Sequence, residues 1–371
     1  MPEELYIGLM SGTSVDSIDT ALVSFTQDKP ELIGYHSEPI PTDIKNRIHQ
    51  LCGLGDNAPL LEASQLDVIC GHLFANATTN IIKKHGLEAR QITAIGSHGQ
   101  TVFHNPDSET PSSIQIGDPN IICEDTGITT VADFRRRDIA AGGQGAPLAP
   151  AFHQAMFQVP GEDRVVVNIG GIANITVLPG NTTDKVTGFD TGPGNTLLDQ
   201  CAMRHLGKNM DTDAAHAQLG TSNKNFLSHL LKDSYFAKPA PKSTGREYFN
   251  LVWLDQMMQQ HSLKPDDLLA SLCALTANSI LKSIKVAAPT TQRLLVCGGG
   301  VHNPVIMQIL KNNTDNINVS STLEYGVNPD HVEAIAFAWM ARQTLHNKTS
   351  SIASVTGARA DRILGGIYQT S

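Results

Sequence analysis

The sequence predicts an α/β protein made of two halves on one plan. Two observations carry this. Apolar strand-like runs alternate with helical stretches along the chain. The opening pattern of strand, glycine-rich turn and strand also returns near the middle, at Arg164. Length agrees: 371 residues exceed one ordinary hydrophobic core and suit two.

LYIGLM and TALVSF read as two strands joined through SGTSVDSID. A helical stretch follows, LDVICGHLFANATTNIIKKHG, and then the strand-like ITAIGSHGQTVFH. IQIGDPNIICEDTG adds sheet-and-turn material. TTVADFRRRDIAAGGQGAPLAPAFH, dense in Gly, Pro, Arg and Asp, reads as loop-rich. RVVVNIGGIANITVLPG then repeats the opening, and GFDTGPGNTLLDQCAMRHL runs from a glycine-rich turn into a helix. Helical DDLLASLCALTANSILKSIK, the strand and turn RLLVCGGGVHNP, and helical NPDHVEAIAFAWMARQTL complete the order. QVPGEDR is the expected seam between the halves.

A formal net charge of -9 argues against a broad nucleic-acid or anionic-membrane surface. Glu3 and Glu4 stand where an export signal needs positive charge, and no membrane span is expected, which predicts the cytoplasm. The cysteines at 52, 70, 123, 201, 273 and 297 have no metal-ligand spacing and read as buried thiols.

The hairpin Gly12–Asp19 has the chemistry of a phosphate cradle. Glycine exposes backbone amides, and Thr13 and Ser14 add short donors. Asp16 and Asp19 would repel a bare phosphate but suit Mg²⁺ held between it and a carboxylate. The same residues also suit a plain hairpin whose side chains satisfy turn amides. No Walker lysine or dinucleotide fingerprint is present there. NIGGIAN supplies a second such hairpin, with Gly170, Gly171 and Asn174. In CGGG, Gly298 and Gly299 leave a flat surface for adenine or ribose, or merely permit close packing.

Asp190, in GFDTGPGN, suits a general base or an N-cap. SHGQTVFH offers His98, Gln100 and His104, and DFRRRD offers Asp133 and Arg135–Arg137. An arginine fork pairs with both oxygens of a substrate carboxylate, but three adjacent arginines cannot all face one way. Glu333 lies beside a strongly apolar stripe, where dipole compensation and a site role are both open.

Taken together, GLMSGTSVDSID, SHGQT, DFRRRDIAAGGQGAPL, NIGGIANIT, GFDTGPGN, CGGG, NPDHVEAIAFAW and SVTGARADRILGGIY resemble the anhydro-N-acetylmuramic acid kinases. These belong to the sugar kinase, Hsc70 and actin superfamily. The resemblance implies a two-domain actin-like ATPase fold, a duplicated sheet-and-helix core around a central cleft. Domains of 1–160 joined by 345–371, and of 161–344, are expected. By the same resemblance Gly12, Thr13, Ser14, Val15, Asp16, Ser17, Ile18 and Asp19 bind ATP phosphates, with Asp16 on Mg²⁺ directly or through water. Asp190 inherits the role of catalytic base; His98, Asp133, Arg135 and Glu333 inherit the sugar side. The implied reaction is ATP-dependent phosphorylation of 1,6-anhydro-N-acetylmuramic acid with hydrolytic opening of its anhydro ring. Its implied setting is recycling of cell-wall fragments, with a homodimer allowed. One departure stands out: Ser17 replaces the family's usual glycine, which matters if that position needs positive φ.

Overall fold

The computed structural model describes residues 3–26, 29–314 and 316–370. In chain order the strands are β1 Glu4–Met10, β2 Ser17–Thr26, β3 Lys29–Pro39, β4 Ile92–Ser97, β5 Gln100–Asn105, β6 Ser112–Ile116 and β7 Thr130–Ala132. They continue as β8 Arg164–Ile169, β9 Ile172–Leu178, β10 Thr187–Pro193, β11 Arg293–Cys297, β12 Asn318–Ser321 and β13 Gly366–Tyr368.

The chain forms two compact units, one of residues up to Phe152 together with those from His331 onward, the other His153–Asp330. The seams expected at 160/161 and 344/345 fall at 152/153 and 330/331, the second shifted the more. The cause is the helix Val332–Leu345, which packs on β1, β4 and β2 of the first unit.

In the first unit the sheet order is β13-β7-β4-β1-β2-β3. β1, β2 and β3 form an antiparallel meander, and β4 and β7 add in parallel beside β1. Leu9, Ile18, Leu22 and Ile95 share a core with Phe74 and Ile81 of the helix Leu60–Lys84. Gly8 and Gly96 are register partners on β1 and β4. A Cβ on Gly8 would lie 1.8 Å from the Ala334 carbonyl oxygen, and one on Gly96 2.1 Å from that of Phe337. The missing side chains let the helix Val332–Leu345 rest its backbone on the sheet.

In the second unit the order is β10-β9-β8-β11-β12. β8, β9 and β10 form an antiparallel meander, and β11 and β12 add in parallel beside β8. This repeats the five-strand order β3-β2-β1-β4-β7 of the first unit, so the weak repeat in the sequence is a repeat of topology. The helix Pro265–Ala287 is long and apolar enough to cross a membrane by length and composition. Leu269, Leu272, Leu275 and Ile280 are instead buried in the core of this unit.

Several elements differ from the sequence reading. The stretch expected as loop-rich contains β7 and the helix Phe134–Ala140. β3 and the helix Thr42–Leu54 lie where no element is expected. Five cysteines are buried as expected, but Cys52 is exposed.

Candidate active site

The first unit's site begins at the β1–β2 hairpin. Val15 carries its turn, with φ +53° and the side chain buried, an unusual conformation for a β-branched residue. Ser17 opens β2 as an ordinary strand residue paired with Pro39. The position therefore needs no positive φ, and serine fits it.

Asp16 and Asp19 have different surroundings. The exposed Asp16 carboxylate is ion-paired with Lys45. Asp19 Oδ1 accepts from the hydroxyls of Tyr35 at 2.6 Å, Ser37 at 3.0 Å and Ser17 at 3.3 Å. All three converge on one oxygen and leave Oδ2 for another partner. Tyr35 also stacks on His331, with ring centroids 3.4 Å apart, at the start of the helix bearing Glu333.

His98 and Arg135 form the centre of this unit's polar set. Arg135 Nη2 and Nε lie 2.8 and 3.2 Å from His98 Nε2, while Nη1 donates to the Gly145 carbonyl at 2.8 Å. Guanidinium only donates, so His98 Nε2 must accept. Its Nδ1 therefore carries the proton and donates to the Gly99 carbonyl at 2.8 Å. Burial, and next the charge of Arg135, hold the His98 pKa well below the ordinary histidine value. Burial also lowers Arg135 to about 10, with Glu333 opposing the shift, so it stays charged at neutral pH.

Phe337 packs 4.8 Å from the His98 ring. Glu333 lies one turn earlier on the same helix face. Its side chain is open to solvent, yet desolvation by surrounding protein raises its pKa; Arg135 works against the rise and Asp19 adds to it. Asp133 turns elsewhere, accepting from the Tyr368 hydroxyl at 2.7 Å and pairing with Arg136 at 3.3 Å. Of the three consecutive arginines, only Arg135 joins His98. His104 lies on β5 beside Ser113.

In the second unit, Asp190 lies on β10 rather than in a turn or at an N-cap. Register pairing puts Asn168, Asn174 and Asp190 side by side on β8, β9 and β10. Directly opposed residues share a face, so they form one polar row. The helix Ser234–Ala237 and the segment after it hold Asp190 in place. Its N–H donates to the Lys242 carbonyl at 3.0 Å, and its carbonyl accepts from the Tyr235 hydroxyl at 2.7 Å. Its Oδ2 accepts from the Thr244 N–H at 3.0 Å. Desolvation raises its pKa to about 6; the Thr244 bond opposes this, and Glu247 adds to it. A carboxyl group with that pKa can exchange a proton near neutral pH.

The β8–β9 hairpin is built on Gly170 and Gly171, whose carbonyls accept from the N–H groups of Asn195, Gly194 and Thr196 at 2.8–3.1 Å. Those carbonyls cap the helix Thr196–Leu206. The CGGG cluster divides. A Cβ on Gly298 would meet Asn168 Oδ1 at 2.3 Å, and one on Gly300 would meet Ile169 Cγ2 at 2.2 Å, so both are packing positions. Gly299 is exposed and faces only Asn195 Nδ2, at 3.7 Å, and alone keeps the flat surface expected of a nucleotide contact. Sequence reasoning missed Tyr35, Asn168, Tyr235 and Thr244. Asn168 was within reach, because NIGGIAN carries an asparagine three residues to either side of Gly171.

The duplicated meander with a glycine hairpin in each half is the arrangement expected of an α/β phosphotransferase of the sugar kinase, Hsc70 and actin type. The family model for anhydro-N-acetylmuramic acid kinase matches residues 4–370. The chain belongs to that family. It is similar to the anhydro-N-acetylmuramic acid kinase of Vibrio cholerae, 48% identical over 366 residues and covering 98% of both chains. That of Coxiella burnetii is 46% identical, covering 99% of this chain and 98% of its own. That of Pasteurella multocida is 48% identical, covering 98% and 96%. A Streptomyces griseus ROK family glucokinase, solved in complex with glucose and AMPPNP, aligns at a TM-score of 0.42 and 12% identity over 91% of this chain and 99% of its own. At that distance it carries no reading of the chemistry.

Proposed function

We propose that the chain phosphorylates 1,6-anhydro-N-acetylmuramic acid with ATP while opening the anhydro ring, giving N-acetylmuramic acid 6-phosphate and ADP. The observation that carries this reading is Asp190: a desolvated carboxylate with one oxygen fixed by Thr244 and a pKa of about 6. In this substrate O6 is bridged to C1, so no free 6-hydroxyl can attack ATP. Asp190 takes a proton from water, the water oxygen bonds C1, and the C1–O6 bond breaks. O6 then bonds the γ-phosphorus as the bond to the ADP oxygen breaks. Product, ADP and one proton account for all atoms.

The hairpin Gly12–Asp19 and the hairpin at Gly170 and Gly171 supply backbone donors for the phosphates, with Asn174 beside the base and Gly299 on the nucleotide side. Arg135 already makes three of its five possible N–H bonds, leaving one N–H on each terminal nitrogen for the lactyl carboxylate. His98 fixes that fork, Glu333 binds the sugar, and Asp133 contributes by ordering the start of the helix that carries Arg135. Mg²⁺ fits Asp19 Oδ2 better than Asp16, whose carboxylate is already paired with Lys45. Such an ion typically uses one or two carboxylates plus phosphates, and supplies charge neutralisation at the phosphates. The setting is the cytoplasm, in turnover of cell-wall sugars.

The test is turnover of the anhydro-sugar with ATP in ¹⁸O water, followed by mass spectrometry at times too short for exchange of the free hemiacetal. One heavy oxygen at C1, absent with Asp190→Asn, supports the coupled reaction. Phosphorylated sugar without that oxygen overturns water attack.

A further inference from the structure

The segment that holds Asp190 carries a side chain not yet given a role. Lys242 and Thr244 bind the base, and Arg246 follows two residues later. Its guanidinium lies over the second glycine hairpin: a Cβ on Gly171 would stand 3.0 Å from Nη2 and 3.1 Å from Nε. A side chain at 171 would make the guanidinium give by a few tenths of an ångström. Arg246 is exposed and forms no ion pair among the described residues. With Thr196, Asp199 and Gln200 it lines a cavity of about 310 Å³. One short segment thus fixes the base at one point and lays a cation along the hairpin at another.

We propose that Arg246 is a catalytic residue whose guanidinium neutralises charge on the transferring phosphoryl group, an inference that rests on the kinase reading of the same site. As the bond from O6 to phosphorus forms and the bond to ADP breaks, negative charge spreads over the equatorial oxygens and the leaving oxygen. Arg246 donates hydrogen bonds to these oxygens and transfers no proton. Its planar fork can span two of them, which a lysine cannot do.

The test compares wild type, Arg246→Ala and Arg246→Lys in steady-state kinetics, with ATP-analogue and ADP binding measured separately. Arg246→Ala is expected to lose about 100-fold or more in kcat, by analogy with the removal of one preorganised donor. The KM for the sugar and the affinity for ADP should stay within about three-fold, because only transition-state binding is lost. Added guanidinium ion should restore part of the alanine variant's rate, which a merely structural role would not allow. A kcat near wild type in Arg246→Ala overturns the proposal. So does a loss shared equally by ADP affinity, sugar KM and melting temperature. If wild type itself fails to turn over the anhydro-sugar, the kinase reading falls. A rate of phosphate release from ATP unchanged by Arg246→Ala would then sink the role of Arg246 as well.

Discussion

Arg135 and His98 are locked to each other: Nη2 of the arginine lies 2.8 Å from Nε2 of the histidine, which must be neutral and protonated on Nδ1. The arginine is thereby held with its remaining donors pointed at one task. Lysine keeps the charge and loses the fork. Arg135→Lys is expected to raise the KM for the anhydro-sugar about 10- to 100-fold, the range of a lost charged hydrogen bond. Steady-state kinetics with a substrate analogue lacking the lactyl carboxylate checks the assignment, since that analogue should show little difference between variants.

Asp190 gives a pH dependence of defined sign. The base works deprotonated, so kcat should fall about ten-fold per unit once pH drops below its pKa of about 6. The effect on folding has the opposite sign. A carboxyl raised above its unfolded value of 3.8 costs stability when charged, and that cost shrinks as pH falls below about 6 and is gone below 3.8. Asp190→Asn should therefore abolish turnover yet raise the melting temperature at pH 7.5, by no more than about 3 kcal/mol of stability. Calorimetry alongside the pH–rate profile tests both signs.

The two hairpin aspartates should separate in a magnesium titration. Asp19→Asn removes the carboxylate with an uncommitted oxygen, and should raise the Mg²⁺ concentration needed for half-maximal rate about ten-fold or more. Asp16→Asn removes only the partner of Lys45 at an exposed position, so its midpoint should move little. A larger shift for Asp16 than for Asp19 would return the ion to Asp16.

Gly96→Ala should be among the most damaging single-methyl changes in the chain. Its Cβ would meet the Phe337 carbonyl oxygen at 2.1 Å and lift the helix bearing Glu333 off the sheet. A loss of about 3 kcal/mol or more is expected in chemical unfolding, beyond the usual overpacking range. Gly53→Ala is the control. It lies inside the helix Thr42–Leu54 with nothing within 4 Å of a new Cβ, and should stabilise by about 0.5–1 kcal/mol.

Local pattern made much of this visible in the sequence. The two hairpins, the alternation of strands and helices, and the candidate groups Asp190, His98, Arg135 and Glu333 all lie in short stretches with distinctive residue types. Asp190 was still read in the wrong element, because TGFDTGP has too many glycines and polar residues to look like a strand. Its strand character comes from pairing with β9. β3 is an edge strand of mixed polarity and gives little periodic signal. The helix Phe134–Ala140 has too few turns for its pattern to stand out from a charge run. Tyr235, Thr244 and Arg246 are distant in sequence from the hairpin and base they touch. No spacing rule connects residue 190 with residue 244; only the fold does.

The way the first unit is closed has a consequence for synthesis on the ribosome. β1 and β4 wait for the helix Val332–Leu345 to cover them, and β7 waits for β13. The second unit contains nothing beyond Asp330. The first unit is therefore completed after the second, with an apolar sheet face uncovered until residues 332–345 have been made. Such a face invites aggregation. Truncation near the C-terminus should thus unfold the N-terminal half of the molecule and spare the middle.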